Sequence, residues 1–336
     1  MSIAQLIEPE LACSPLQAGD THTITMPKEF TVVEAVPMRD EFSAICQREV
    51  PAPPSSITLD FSSTSFVDSS GIGALASMLK IARSRGISLA ACRLTPQVEA
   101  VLTMTGMHKV LTIESTAVSG EVAAQDASRD LPVTHASVRS RAKRGIDIVG
   151  ALVGLTITGV LFVPIALAIR SDGAGPLLFS QTRRGWMGRE FRLWKFRSMV
   201  PDAEQRKSEV ENDAAGAIFK ASNDPRITRV GRLLRRTSLD ELPQFWNVLQ
   251  GSMSLVGTRP PTTDEIDQYE VPEWRRLDVK PGITGEWQVN GRSSIKHFED
   301  VIRLDLRYQR NWSLLYDLKL LMKTVKVVFS KDSGAM

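Results

Sequence analysis

The spacing of hydrophobic and polar positions changes several times along the chain, and each change marks an element. ITLDF (57–61) is a short apolar run of strand type. From Gly71 to Arg85, the residues Ile72, Leu75, Met78, Leu79 and Ala82 recur at helical spacing, and Gly86 ends the predicted helix. ISLAAC (87–92) reads as a second strand. Pro96 then opens a helix, PQVEAVLTMTG, with Val98, Val101, Leu102 and Met104 on or near one face and Gly106 closing it. This β-α-β-α order predicts a small α/β sheet domain. Residues 118–138 are small and polar with little periodicity and read as a linker.

The pattern then turns continuously apolar. Residues 146–169, IDIVGALVGLTITGVLFVPIALAI, carry one charge, Asp147. A run of 24 residues exceeds the roughly 20 needed to cross a hydrocarbon core. Pro164 lies inside it, where it removes a backbone donor and predicts a kink. Both flanks are basic: Arg139, Arg141, Lys143 and Arg144 before, then Arg170, Arg183, Arg184 and Arg189 after. Basic flanks favour the cytoplasm, so both ends ask for the same side. A helix that enters, bends at Pro164 and leaves by the same face satisfies both; an ordinary spanning helix is the competing reading. The last predicted helix, 313–329, sets Leu314, Leu315, Leu318, Leu321, Met322 and Val325 among Lys319, Lys323 and Lys326. It suits a membrane surface and equally a core-facing helix with a charged outer side.

Charge sharpens the division. Residues 1–135 hold 9 Lys/Arg and 15 Asp/Glu, a balance of −6, while 136–336 hold 32 and 23, a balance of +9. The basic part suits a nucleic acid, an anionic membrane or a phosphorylated substrate. Cys13, Cys46 and Cys92 show neither metal spacing nor a framework of pairs, which fits a reduced cytoplasmic setting. The scattered His22, His108, His135 and His297 argue against zinc. The first residues lack the basic start and apolar run of a signal peptide.

Candidate chemistry centres on RRTSLDELPQ (235–244). Ser238 and Glu241 match a capping box. Pro243 fits that box poorly, because it would be the fifth helical residue and would lack a donor. If the helix starts at Pro243 instead, Asp240 and Glu241 lie just before its positive end. Either placement favours the ionised acids, and Arg232, Arg235 and Arg236 push the same way. An ionised carboxylate is a usable nucleophile, and an acid beside it can hold a divalent metal. Lys195, Arg197, Arg259 and Arg292 supply groups suited to phosphate. With the apolar segment, these residues predict phosphate chemistry at a membrane surface.

Residues 139–330 resemble the bacterial sugar transferases, the monotopic phosphoglycosyl transferases. The resemblance runs through KRGIDI, the Pro-containing apolar helix, PLLFSQTRRG, KFRSM, DPRITRVGRLLRRTSLDELPQFWNVLQGSMSLVGTRP, KPGITGEWQVNGR, LDLRY and DLKLLMKTV. It implies transfer of a sugar 1-phosphate from a UDP-sugar to polyprenyl (undecaprenyl) phosphate, releasing UMP, to initiate exopolysaccharide or another surface glycan. It implies that Asp240 is the nucleophile of a covalent phosphosugar intermediate and that Glu241, with Asp240, binds Mg2+. Lys195, Arg235, Arg259, Arg292 and Asp305 match the remaining polar active-site positions, and Pro164 matches the kink of a re-entrant helix. The implied location is the cytoplasmic face of a bacterial inner membrane, with no nucleic-acid partner. Thr258 and Glu286 depart from the family pattern, where Pro and an apolar residue are usual.

Residues 20–117 resemble a STAS domain, the fold of anti-sigma-factor antagonists, most specifically at Asp68-Ser-Ser-Gly71. In regulated members a kinase phosphorylates the first serine, here Ser69; the competing reading is that Ser69 caps the following helix. A regulatory protein or kinase is therefore an implied partner. The expected architecture is α/β: a STAS-type sheet with helices, then a mainly helical α/β transferase domain carrying the membrane helix. A scaffold that binds nucleotide sugar without turnover within a glycan assembly complex is the alternative function. The Asp240–Glu241 pair and the basic set weigh against it, and UMP release discriminates the two.

Overall fold

The computed structural model describes residues 21–48, 53–114, 133–219, 221, 224–291, 295 and 297–329. The chain divides into two compact units. The first comprises 1–134 together with 187–189 and 267–278; the second comprises 135–186, 190–266 and 279–336.

The first unit contains β1 (Thr21–Thr25), β2 (Glu29–Phe30), α1 (Val32–Gln47), β3 (Ser56–Asp60), β4 (Phe66–Val67), α2 (Ser69–Ser84), β5 (Ser88–Cys92), α3 (Pro96–Thr105) and β6 (Thr112–Glu114). Its main sheet is parallel, in the order β1-β3-β5-β6. All five β3 residues are buried, as expected where a parallel strand is covered on both faces. The expected strand and helix positions hold, with small shifts. α2 starts two residues before Gly71 because the Asp68 carboxylate accepts the Gly71 N–H at 2.9 Å. Thr95 caps α3 ahead of Pro96, and Gly106 ends it at φ 78°. The 118–132 part of the expected linker lies outside the described residues.

The second unit contains α4 (Ala136–Arg139), α5 (Arg141–Ser171), β7 (Leu178–Arg184), β8 (Glu190–Phe196), α6 (Arg229–Arg236), α7 (Gln244–Gln250) and β9 (Ser254–Val256). It continues with α8 (Thr263–Ile266), β10 (Gly282–Thr284), α9 (Glu286–Val289), α10 (Phe298–Asn311) and α11 (Leu314–Phe329). β7 and β8 form an antiparallel pair, with Phe179 opposite Lys195. β9 and β10 pair in parallel.

The apolar run lies within α5, which is longer than the run at both ends. Ser140 caps it by accepting the Lys143 N–H at 3.2 Å. The helix is assigned without interruption across Pro164. One side carries Ala151, Gly154, Thr158, Ile165 and Ile169, all buried. A Cβ on Gly154 would fall 2.4 Å from the Phe245 ring of α7, so only glycine lets the two helices approach this closely. The other side is apolar and open: Val149, Val153, Val160, Val163 and Leu167 are 57–73% exposed. Only 22% of its most apolar stretch is buried, which separates α5 from the core helix of a soluble protein.

α5 is tied to its own unit at both ends. Near its start, Lys143 Nζ donates to Asp317 Oδ2 at 2.6 Å and to the Val256 carbonyl at 3.0 Å. Arg144 donates to the carbonyls of Val248 and Leu249, each at 2.6 Å. Asp147 accepts from Ser254 Oγ and the Leu255 N–H, each at 2.9 Å. At its end, Asp172 Oδ2 accepts the Val230 N–H at 2.6 Å. Lys143 and Arg144, read from sequence as orienting charges, are thus hydrogen-bonded anchors. On α11, Leu315, Leu318, Met322 and Val325 are exposed beside exposed Lys319, Lys323 and Lys326. Leu320 and Asp317 of the same helix are buried, so α11 faces the core on one side and carries a mixed apolar and basic face on the other, as both readings allow.

Candidate active site

The dyad sits in a turn held between β8, α6 and α7. α6 ends at Arg236, and Ser238 then adopts φ 55° and ψ 18°. That left-handed conformation costs a non-glycine residue about 1–2 kcal/mol. Ser238 makes no side-chain cap, so the capping-box reading does not hold. Leu239–Glu241 form a single 3-10 turn, and α7 begins at Gln244, directly after Pro243. Pro243, at φ −62°, leads into that helix, where its missing donor has no consequence. The acids therefore lie just ahead of a short helix, as the second sequence reading had it.

Lys195 reaches both acids from β8. Its Nζ is 2.9 Å from Glu241 Oε1 and 4.0 Å from Asp240 Oδ2. Asp240 is 5% exposed. In so dry a setting a neighbouring ammonium contributes far more than it would in water. Asn247 of α7 fixes the strand that carries Lys195: it donates to the Arg192 carbonyl at 2.7 Å and accepts the Trp194 N–H at 3.2 Å.

The other predicted residues occupy distinct settings. Arg235, half-buried on α6, lends its charge to the buried Asp224–Arg226 pair. The Asp224 carboxyl lies below its ordinary range, chiefly through the hydrogen bond from Arg226. Arg259 forms a two-point ion pair with Glu265, at 2.8 and 2.9 Å, and its guanidinium lies 5.7 Å from the Trp287 ring. Burial works to raise the Glu265 carboxyl, but the charges and hydrogen bonds of Arg259, helped by Arg183 and Thr262, bring it below its ordinary value. Asp305 is 1% exposed on α10. Arg292 lies outside the described residues. The structure thus brings Lys195, Asp240 and Glu241 together and places Arg259 in its own ion pair. The two departures are also accommodated. Thr258 is buried beside β9, and buried Glu286 pairs with Arg307 at 2.9 Å and with Asn290.

The donor set suits magnesium. Mg2+ takes one or two carboxylates and completes its shell with water and substrate phosphate. Two adjacent acids fit that mode, and because no group of three or more His, Cys, Asp or Glu side chains gathers among the described residues, the pair would depend on water and phosphate for the remaining ligands.

In the first unit Ser69 does not cap α2; Asp68 does. Ser69 is fully buried, its N–H donates to Asp278 Oδ1 at 3.1 Å, and its Oγ lies 3.7 Å from Met187 Sδ. Burial, then the charge of Asp68, raises the Asp278 carboxyl to about 7.

Arg197, expected to suit phosphate, instead gives its guanidinium to the carbonyls of Ile169, Gly173 and Ala174, and Asp172 and Asn247 carry no sequence signal for their roles. Asn247 belongs to the quoted QFWNVLQ segment, but its strand partners lie 53 and 55 residues away and no local spacing marks them.

Comparison with known proteins adds the family. Residues 138–331 match the model of the bacterial sugar transferases, and residues 15–119 match that of the STAS domain. The galactosyl transferase CpsE of Streptococcus agalactiae serotype III is 52% identical over 189 residues, covering 56% of this chain and 42% of that protein. The UDP-glucose:undecaprenyl-phosphate glucose-1-phosphate transferase of Escherichia coli K12 is 42% identical over 203 residues, covering 58% and 41%. The exopolysaccharide production protein ExoY of Rhizobium meliloti is 37% identical over 193 residues, covering 56% and 85%. The chain spans about two fifths of the length of the first two relatives. With its model matched over more than half of the residues, the chain belongs to the bacterial sugar transferase family.

Proposed function

We propose that the protein transfers a sugar 1-phosphate from a UDP-sugar to undecaprenyl phosphate, starting an exopolysaccharide or related surface glycan. The observation that carries this reading is the Lys195–Glu241–Asp240 cluster, with a nearly buried Asp240, in the unit that holds α5. In the first step an Asp240 carboxylate oxygen attacks the sugar-bearing phosphorus. A bond forms from that oxygen to phosphorus, and the bond from phosphorus to the bridging oxygen breaks, releasing UMP. In the second step a phosphate oxygen of the lipid attacks the same phosphorus, forming the diphosphate and freeing the Asp240 carboxylate.

A carboxylate approaching a diphosphate meets like charge, so positive groups must offset it. Lys195 supplies one such charge beside both acids. Glu241, with Asp240, would hold Mg2+, which when bound neutralises phosphate oxygens. Arg235, Arg259, Arg292 and Asp305 are the further substrate-binding residues. For Arg259 this role is indirect: its guanidinium is held by Glu265 and Trp287, so it acts as part of an ordered wall.

The proposed site faces the cytoplasm at an inner membrane, and the open apolar side of α5 supports contact with lipid. The anchors at both ends of α5 hold it to the same unit; a re-entrant path would need a bend at Pro164, across which the helix continues. The test supplies full-length protein with UDP-glucose or UDP-galactose, magnesium and undecaprenyl phosphate, and measures UMP. Release with one donor is expected. Its absence across a broad panel of UDP-sugars would leave a nucleotide-sugar-binding scaffold as the better reading.

A further inference from the structure

A helix leaves its last four carbonyls without intrahelical donors. At the end of α5 one of them, that of Ile169, is met by a side chain from far along the chain. Arg197, one residue past β8, is 8% exposed. Its Nη2 donates to the Gly173 carbonyl at 2.6 Å and to that of Ile169 at 3.1 Å, and its Nη1 donates to Ala174 at 2.7 Å. Its backbone N–H donates to the Leu177 carbonyl at 2.9 Å. The planar fork thus spans both the helix end and the turn after it, which a lysine's single ammonium cannot reproduce. Gly175 has φ +125°, and a Cβ there would fall 2.2 Å from Arg197 Nη1.

Capping alone would make Arg197 a local structural residue. Three further observations link it to the dyad. Lys195, which touches both acids, lies two residues before it on β8. Ile165 and Ile169 of α5 form a buried cluster with Phe196 and Leu234, and Leu239 and Leu242, which bracket Asp240–Glu241, pack against that cluster. Asp172, the last cap of α5, accepts the Val230 N–H and so anchors the start of α6, whose far end leads into the dyad turn. Burial works to raise the Asp172 carboxyl, and hydrogen bonds from Thr228 and Val230, with the charges of Arg229 and Arg232, hold it below its ordinary value.

We infer that Arg197 and Asp172 are positioning residues that seat Lys195 and the Asp240–Glu241 turn on the end of the membrane helix. The inference rests on the phosphotransferase reading above. The nucleotide sugar arrives from water, whereas the lipid phosphate arrives at a depth set by α5. Loosening the Arg197 fork therefore impairs use of the lipid more than use of the UDP-sugar.

The test uses full-length protein in lipid nanodiscs with Arg197→Ala, Arg197→Lys and Gly175→Ala. The last variant keeps the guanidinium and displaces it. Hydrogen exchange is read at residues 168–176 and, separately, at 238–242, which the Arg197 side chain does not bond. All three variants are expected to raise exchange in both segments. KM for undecaprenyl phosphate should rise about tenfold or more, a size in keeping with the penalty for misplacing a reacting group. KM for the UDP-sugar should stay within about twofold. Faster exchange confined to 168–176, or equal rises in both KM values, would overturn the inference. Absence of UMP release by the unaltered protein would instead strike the proposed activity, and the exchange measurement would still decide the positioning role.

Discussion

Two pairs of acids, one in each unit, show how the same residue type is put to different use. In the first unit Asp68 and Asp278 meet at the start of α2 through Ser69. Burial dominates there and raises both carboxyls, the charge of Asp68 adds to the rise at Asp278, and Arg275 works against it; the Asp278 carboxyl stands at about 7. In the second unit Asp240 and Glu241 lie under the Lys195 ammonium, 2.9 Å from Glu241. Burial raises the acids of the first pair, whereas the second pair has a lysine ammonium within ion-pair distance of both carboxylates. What separates the pairs is the neighbour, not the acids.

The comparison can be broken at either pair. The largest effect is expected for Asp240→Asn, which removes the charge of the oxygen proposed to attack and should lower UMP release by about a thousandfold or more. Circular dichroism should show the fold retained; full turnover would contradict the assignment. Lys195→Met keeps the length of the side chain and removes its charge. Turnover should fall about a hundredfold, in the range seen when one electrostatic stabiliser is deleted, and thermal unfolding should show a less stable second unit. An unchanged rate would show that the ammonium serves the fold alone.

The first pair responds to pH instead. The folded-state value of Asp278 is raised from 3.8 to about 7, so the folded state holds a proton that the unfolded chain has released. Its stabilising contribution is complete below the unfolded value and is lost as pH rises through about 7. Denaturation midpoints of the first unit should therefore drop between about pH 4 and pH 7. Asp278→Asn, whose amide oxygen still accepts the Ser69 N–H, should flatten that slope; an unaltered slope would place the titration elsewhere. The smallest effect is expected at Ser238, where glycine adopts φ 55° without strain. Ser238→Gly should raise stability by up to about 1 kcal/mol, read as a higher melting temperature with UMP release retained.

Much of the fold was legible in the sequence because its signals are local. Pro96 and Gly106 mark the two ends of α3, and an apolar run of sufficient length marks α5 whatever surrounds it. The dyad was legible as a pair of acids before Pro243, but its geometry was not. The turn depends on Ser238 entering a conformation that serine seldom adopts, so the pattern Ser-x-x-Glu pointed to a cap that the chain does not form. The charged residues were harder still. Lys143 and Asp317 are 174 positions apart, and Arg197 reaches back 28 positions to Ile169. No period reports such pairs, because they exist only once the helix ends are in place. Arg259 illustrates the limit from the other side. Its sequence setting suits a phosphate fork, while its near neighbour Glu265 takes both of its terminal nitrogens.

The most direct test of the central claim omits the lipid. Protein incubated with a UDP-hexose and magnesium, then quenched and digested, should show a hexose 1-phosphate adduct on the peptide containing Asp240. UMP should appear in equal amount, and Asp240→Asn should form neither. An adduct that persists in Asp240→Asn, or lipid-dependent UMP release with no adduct at any time, would contradict the assignment of Asp240 as the nucleophile.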